Sequence, residues 1–229
     1  MYITREGFAI VERDTHMGKW VRDVGRLDFD RSALNCYEQF FKDGDTFLNI
    51  GANIGCYVHS FLYKADQVIC FEPHEECFEC LEYNIGRYDH TKLYNLAVSS
   101  GENNYSLQKD DNNIGASWVK QDLFVDKLTD TESKNGMTCY IDQFDFNKIN
   151  FILMDCEGFE YFVLEGAYET IKKFRPIIVM EINHGALERQ GVGFDFITRF
   201  LDKEKYSYRN IYESQDMVGP QFDIICFPE

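Results

Sequence analysis

"FLNIGANIGCY", residues 47–57, decides the fold. A short apolar run reaches Asn49, then come Gly51, Ala52, Asn53 and Gly55, and then apolar residues resume. The stretch reads as a buried strand stopped by an abrupt glycine turn and continued at once as a helix. Glycines let a backbone approach a ligand closely, and the first N–H groups of a helix suit an anion.

Working outward, the neighbouring segments alternate. "TFLNI" is a strand and 54–64 a helix; "QVICFE" (67–72) is a strand and 75–87 a helix; "KLYNLAV" (92–98) is a third strand. That order implies a parallel sheet with helices on both faces. Upstream, residues 1–44 form a leading helical or cap segment, in which "RSALNCYEQFFKDG" predicts a helix stopped by Gly44. Residues 45–229 form the main α/β domain. Within it, about 99–140 is an insertion of short, polar, hairpin-like pieces, expected to cover a ligand or shape an acceptor pocket. Alternation resumes with "INFILMD" (149–155), a helix over 159–174, "PIIVMEI" (176–182) and a helix over 193–204. "YSYRNIYE" and "FDIICF" predict a closing antiparallel pair, for about seven strands in all.

The chain has 229 residues, 45% of them hydrophobic, enough for one large α/β core. Its net charge of −16 opposes phosphate backbones and anionic lipid, so neither nucleic acid nor a membrane surface is expected as partner. No uncharged apolar window approaches the ~18 residues of a transmembrane helix. The opening "MYITREGFAIVERD" has no signal-peptide core. A cytoplasmic protein with reduced thiols is the expectation for the eight cysteines. Cys77 and Cys80 form a CxxC, but they fall on a helix with Phe78, Leu81 and Ile85, without further ligands at zinc spacing.

An open parallel sheet binds its ligand at the carboxyl ends of the strands, and an acid ending the second strand suits ribose hydroxyls. Glu72, followed by Pro73, stands 21 residues after Gly51. The pair points to an adenosine-type ligand. The dinucleotide pattern G-x-G-x-x-G is not matched, which counts against a nicotinamide-dependent oxidoreductase.

"FLNIGANIGCY", "VICFEPHEECFECLEYNI", "LYNLAVSS" and "FILMDCEGFEYFVLEGA" resemble the FkbM family of S-adenosylmethionine-dependent methyltransferases, over about residues 45–183. The resemblance implies the class I methyltransferase fold, a Rossmann-like, mostly parallel seven-stranded sheet with helices on both faces and the last strand antiparallel. It implies S-adenosylmethionine as cofactor and O-methylation of a sugar or natural-product hydroxyl, with a small-molecule or glycan acceptor. By position, Gly51, Ala52, Asn53 and Gly55 would face the methionine part, Glu72 and Pro73 the ribose, and Asn95, Leu96 and Ala97 the adenine; Asp155 would border both cofactor and acceptor. Asn49 stands where the family usually has an acid near the cofactor's ammonium, which leaves a non-catalytic cofactor-binding protein as a rival reading. "NNIGAS" (112–117) loosely resembles the family's Gly-Gly-Ser-like loop.

"MDCEGFEYFVLEGA" carries Asp155, Glu157 and Glu160, and "MEINHG" brings Glu181 and His184 to the end of the next strand. Methyl transfer to a hydroxyl needs alignment and a proton acceptor. Asp155, Glu157, Glu181 and His184 are the candidates for that work. A divalent cation held by the clustered carboxylates is an alternative with no further support in the sequence. Glu157 and Glu160 also suit the start of a helix on electrostatic grounds alone.

Overall fold

Strand β3 (Thr46–Ile50) is buried along its whole length, as a central parallel strand must be. In the computed structural model, which describes residues 1–121, 136–212 and 216–229, it pairs in parallel with β4 (Gln67–Phe71) and β9 (Phe151–Met154). β5 (Thr91–Tyr94) extends the sheet beyond β4, and β10 (Ile177–Asn183) extends it beyond β9. β12 (Gln221–Pro228) then pairs antiparallel with β10, and the edge strand β11 (Tyr206–Asn210) antiparallel with β12. The order β11-β12-β10-β9-β3-β4-β5 is the seven-stranded sheet expected from the alternation.

Alternating side chains serve the two faces. Leu48, Ile50, Ile69, Phe71, Ile152 and Met154 pack on one face, beneath helices α5 (Glu160–Gly166), α6 (Tyr168–Phe174) and α8 (Phe194–Lys203). Phe47, Val68, Phe151 and Leu153 pack on the other, beneath α2 (Arg31–Glu38), α3 (Cys56–Phe61) and α4 (Glu75–Ile85). The helix expected over 159–174 is two helices, parted at Ala167, just after Gly166, a poor helix former. A short helix, α7 (His184–Arg189), follows β10 directly.

The leading residues hold a strand pair, β1 (Tyr2–Ile3) with β2 (Ala9–Ile10), and α1 (Met17–Val24) ahead of α2. Asn84 of α4 fastens β2 from both sides: its Oδ1 accepts from Ala9 N–H at 2.8 Å and its Nδ2 donates to Ala9 C=O at 2.9 Å. α2 stops at Glu38, short of Gly44, and Gly44 instead turns the chain toward β3 with φ 84°. The insertion contributes a small antiparallel sheet of β6 (Asn104–Gln108), β7 (Trp118–Gln121) and β8 (Gly136–Met137), with a 3-10 turn at Ile114–Ala116. The rest of the insertion, 122–135, lies outside the described residues, as do 213–215. Among the described residues no helix is long and apolar enough to cross a membrane.

Candidate functional site

A cleft of about 450 Å³ lies over the carboxyl ends of β3, β4, β9 and β10, a volume in the range of small-ligand sites. Its floor is the turn after β3. Gly51 and Ala52 both donate to the Phe71 carbonyl, at 2.9 and 3.0 Å, and Asn53 takes a left-handed conformation with φ 50°. Glu72 locks this turn to the end of β4. Its two carboxylate oxygens accept from Asn53 N–H and His74 N–H, each at 2.7 Å. Burial pushes its proton affinity up to about pH 7, against the pull of those two donors.

Ten of the residues expected from the sequence meet in this cleft. Gly51, Ala52, Asn53, Glu72 and Pro73 form one side, and Leu96 and Ala97 stand past β5. Asp155, Glu157 and Glu181 line the cleft from the ends of β9 and β10. Four others do not line it. Asn49 shares the face of Phe47, is fully buried in the sheet, and donates from Nδ2 to the Leu153 carbonyl at 3.1 Å. Gly55 serves helix packing: a Cβ there would stand 2.9 Å from Ile85 Cγ1 on α4. Asn95 donates from its side chain to the Glu72 carbonyl at 2.8 Å. His184 opens α7 just past the end of β10: Glu181 and Asn183 line the cleft, while the His184 ring packs edge-on against Phe194 and Phe222.

Carboxylate oxygens of Asp155, Glu157 and Glu181 can lie within 4.8 Å of one another. Asp155 follows β9 directly. Glu157 sits in a left-handed turn, φ 54°, held by Arg189, which donates to its carbonyl at 3.3 Å. Gln221 of β12 donates to Glu181 at 2.5 Å. Burial, and then the neighbouring acids, raise Asp155 well above the usual carboxylate range and Glu181 to about 8. Burial also raises Glu157, with Arg189 opposing. Glu160, expected beside them, is buried under the rim; it accepts from Cys156 N–H at 2.8 Å and is raised to about 7, first by burial. A second hollow of about 380 Å³ shares Asp30, Tyr57, Asp155 and Glu181 with the cleft, and adds Tyr37, Tyr212 and Asp223. There Tyr37 O–H donates to Asp223 at 2.8 Å, and burial lifts Asp223 to about 6.

These shifts make stability fall with rising pH. Each raised acid binds its proton more tightly in the folded chain than in the unfolded one, where the value is about 4.5 for Glu. The stabilisation is complete below the unfolded value and is lost as pH climbs through about 6 for Asp223, 7 for Glu72 and Glu160, and 8 for Glu181. Thermal unfolding of the ligand-free protein should therefore show a falling Tm from pH 5 to pH 8.5, and Glu181→Gln should flatten the upper part of that fall. A Tm that rises across this interval would contradict the burial of these acids.

Two further parts of the wall come from outside the strand ends, and sequence reasoning missed the first of them. His16, Met17, Phe29 and Asp30 come from the leading segment, and Asn113–Ser117 from the insertion. The two meet where Thr15 N–H donates to the Asn112 carbonyl at 2.8 Å. The second lies in the insertion that the sequence marks as a ligand-covering or pocket-shaping piece. No lysine or arginine lines the cleft among the described residues.

The sequence profile of the methyltransferase FkbM domain matches residues 49–209. No curated protein matches the chain. Among solved structures, methyltransferase FkbM from Methylobacillus flagellatus KT superposes with a TM-score of 0.54 at 16% identity, over 82% of this chain and 44% of that one. The present chain thus spans less than half the length of that protein. SMU.1697c from Streptococcus mutans, described as a methyltransferase and solved in complex with SAH, gives 0.53 at 7% identity, over 86% and 96%. An rRNA methylase from Streptococcus thermophilus gives 0.53 at 8%, over 86% and 94%. At these identities the likeness is one of fold, the class I methyltransferase fold; with the profile covering more than half of its length, the chain belongs to the FkbM methyltransferase family.

Proposed function

We propose that this is an S-adenosylmethionine-dependent methyltransferase acting on a hydroxyl of a small-molecule or glycan acceptor in the cytoplasm. One observation carries the reading: a cleft over the Gly51 turn and Glu72 is ringed by carboxylates, with no lysine or arginine in its described wall. A sulfonium cofactor of net positive charge suits such a wall. A nicotinamide dinucleotide, with its pyrophosphate, does not. The same argument disfavours a phosphodiester acceptor, so nucleic acid is not the substrate we assign.

S-adenosylmethionine supplies a methyl group on sulfur that is open to in-line attack. Glu72 would take the ribose hydroxyls, for which its oxygens keep lone pairs beyond those used by Asn53 and His74. The turn at Gly51–Asn53 would border the methionine part, and Leu96 and Ala97 the base. The acceptor would enter past Tyr57 from the second hollow, bringing its oxygen to Asp155 and Glu181. Transfer of that methyl group to a hydroxyl requires the hydroxyl proton to leave, and Asp155 or Glu181 would accept it. Glu181, raised to about 8, holds the proton affinity that suits a base near neutral pH. A divalent cation on Asp155, Glu157 and Glu181 would instead lower the hydroxyl's own pKa.

Calorimetry tests the cofactor. S-adenosylmethionine or its demethylated product should bind and NADH should not. Glu72→Ala should weaken binding by about 1–3 kcal/mol, the range for leaving hydrogen bonds to a charged group unmade. Binding of NADH alone, or equal affinity in the mutant, refutes the assignment. A labelled-methyl assay over hydroxyl acceptors tests the transfer.

A further inference from the structure

Glu72 accounts for only part of the rim on which it stands. Two residues on, His74 opens α4. Its backbone is satisfied: its N–H donates to Glu72 and its carbonyl accepts from Phe78 N–H at 2.8 Å. Its side chain is not. The residue is 2% exposed and belongs to the cleft wall, yet among the described residues neither Nδ1 nor Nε2 has a hydrogen-bond partner. Leaving a buried polar atom unpaired costs more than an ordinary hydrogen bond returns, and native folds rarely do so without a reason.

The order of strand ends says what that reason is. With ribose on Glu72 at the end of β4, the amino-acid part of the cofactor would lie back over β3, toward Gly51 and Asp155. The nucleobase would then lie forward, toward the cleft residues that follow β4 and β5, among them His74, Leu96 and Ala97. The cleft wall also carries the apolar Cys77, Leu96, Ala97, Leu107 and Val119, with Asn113 and Ser117 as polar members. The geometry points to His74 as the residue that recognises the polar edge of the nucleobase, with its apolar neighbours holding the faces of the ring. This rests on the nucleoside cofactor proposed above.

The chemistry fits an adenine. A neutral imidazole carries one donor and one acceptor. Burial and the nearby Lys109 and Arg13 disfavour its protonation, with Glu76 opposing, so the ring stays neutral at pH 7. An adenine edge sets an amino donor beside a ring-nitrogen acceptor, and either histidine tautomer finds a partner on it. The terminal torsion of histidine is soft, so a small turn of the ring brings a nitrogen to the cleft surface.

The test separates binding from folding by sign. His74→Leu removes the orphaned nitrogens, so the Tm of the ligand-free protein should hold or rise. The same change should weaken S-adenosylhomocysteine about tenfold by calorimetry, the worth of a hydrogen bond to a buried group. Adenosine alone should lose the same factor, because the missing contact is to the base. His74→Gln, which keeps a donor and an acceptor, should bind within about threefold of wild type. If His74→Leu does not fold, His74→Phe makes the same comparison. Unchanged affinity in the apolar variant overturns the inference, and so does a lowered Tm with adenosine binding intact. Folded wild type that binds neither S-adenosylhomocysteine nor adenosine refutes the cofactor reading itself.

Discussion

Glu181→Gln should lower methyl transfer by about 10²–10⁴-fold, the usual worth of a general base, while affinity for S-adenosylhomocysteine stays within a few-fold. Asp155→Asn should do the same to turnover. The two effects of Glu181→Gln divide because the proposed cofactor site draws on the ends of β3, β4 and β5, whereas Glu181 ends β10, two strands away from β3. Only the transition state needs a proton acceptor, so the loss falls on kcat. The pH profile gives a second reading. The active form is the carboxylate, so the wild-type rate should rise as pH climbs through about 8, where Glu181 ionises. Because Glu181 and Asp155 interact, the observed value belongs to the pair. A cation on the three carboxylates adds two signs: EDTA abolishes turnover until Mg²⁺ or Mn²⁺ is restored, and the rising limb moves to lower pH. His184→Phe, by contrast, should leave turnover alone, since that ring lies among Phe194 and Phe222. Full activity in both carboxylate variants, with and without chelator, would remove the cluster from the mechanism and leave alignment alone.

How much of this was legible depends on the range of the forces involved. The parallel sheet was, because strands buried on both faces must be apolar throughout, and "TFLNI" and "FILM" are nearly so. The turn and Glu72 were, because chain geometry sets their spacing. The convergence of Asp155 with Glu181 was, because β9 and β10 are neighbours. Asn49 does not reach the cleft, although strand parity was available to show it, since Asn49 runs with Phe47; His184 does not reach it because the chain turns into α7 at that residue. The contribution of the leading segment was beyond reach. Asp30 and His16 reach the cleft through contacts such as Asn84 with Ala9, across 75 positions, and no local pattern encodes a pairing at that distance. His74 was passed over because a lone histidine carries no spacing signal. Its significance lies in two nitrogens without partners, which only coordinates reveal.

The glycine turn that opens the domain invites a simple reading, that Gly51 is glycine to admit a ligand. The structure makes the larger constraint internal. Gly51 has φ 82°, and a Cβ built there would lie 1.9 Å from the Asp155 carbonyl oxygen. That neighbour is backbone, on the adjacent strand end, fixed by Asp155 N–H donating to the Ile50 carbonyl at 3.1 Å. No side-chain rotation relieves the clash; β3 and β9 must part at their carboxyl ends. Gly51→Ala should therefore destabilise by about 3–5 kcal/mol, of which the left-handed backbone accounts for only about 1–2. For a chain of this size that is a fall in Tm of about 6–20 °C. Gly55 provides the comparison. Its φ is 93°, but a Cβ there meets the flexible ends of Ile85 and Leu81, at 2.9 and 3.1 Å, so Gly55→Ala should cost about 1–2 kcal/mol. Whatever Gly51→Ala does to the sheet it also does to Asp155, whose carbonyl is the displaced group, so surviving folded protein should transfer methyl poorly even where it binds cofactor. A Gly51→Ala protein that melts within about 2 °C of wild type, below the shift of a single kcal/mol, would mean that the strand ends are free to separate, and that the site is not held rigid by the turn beneath it.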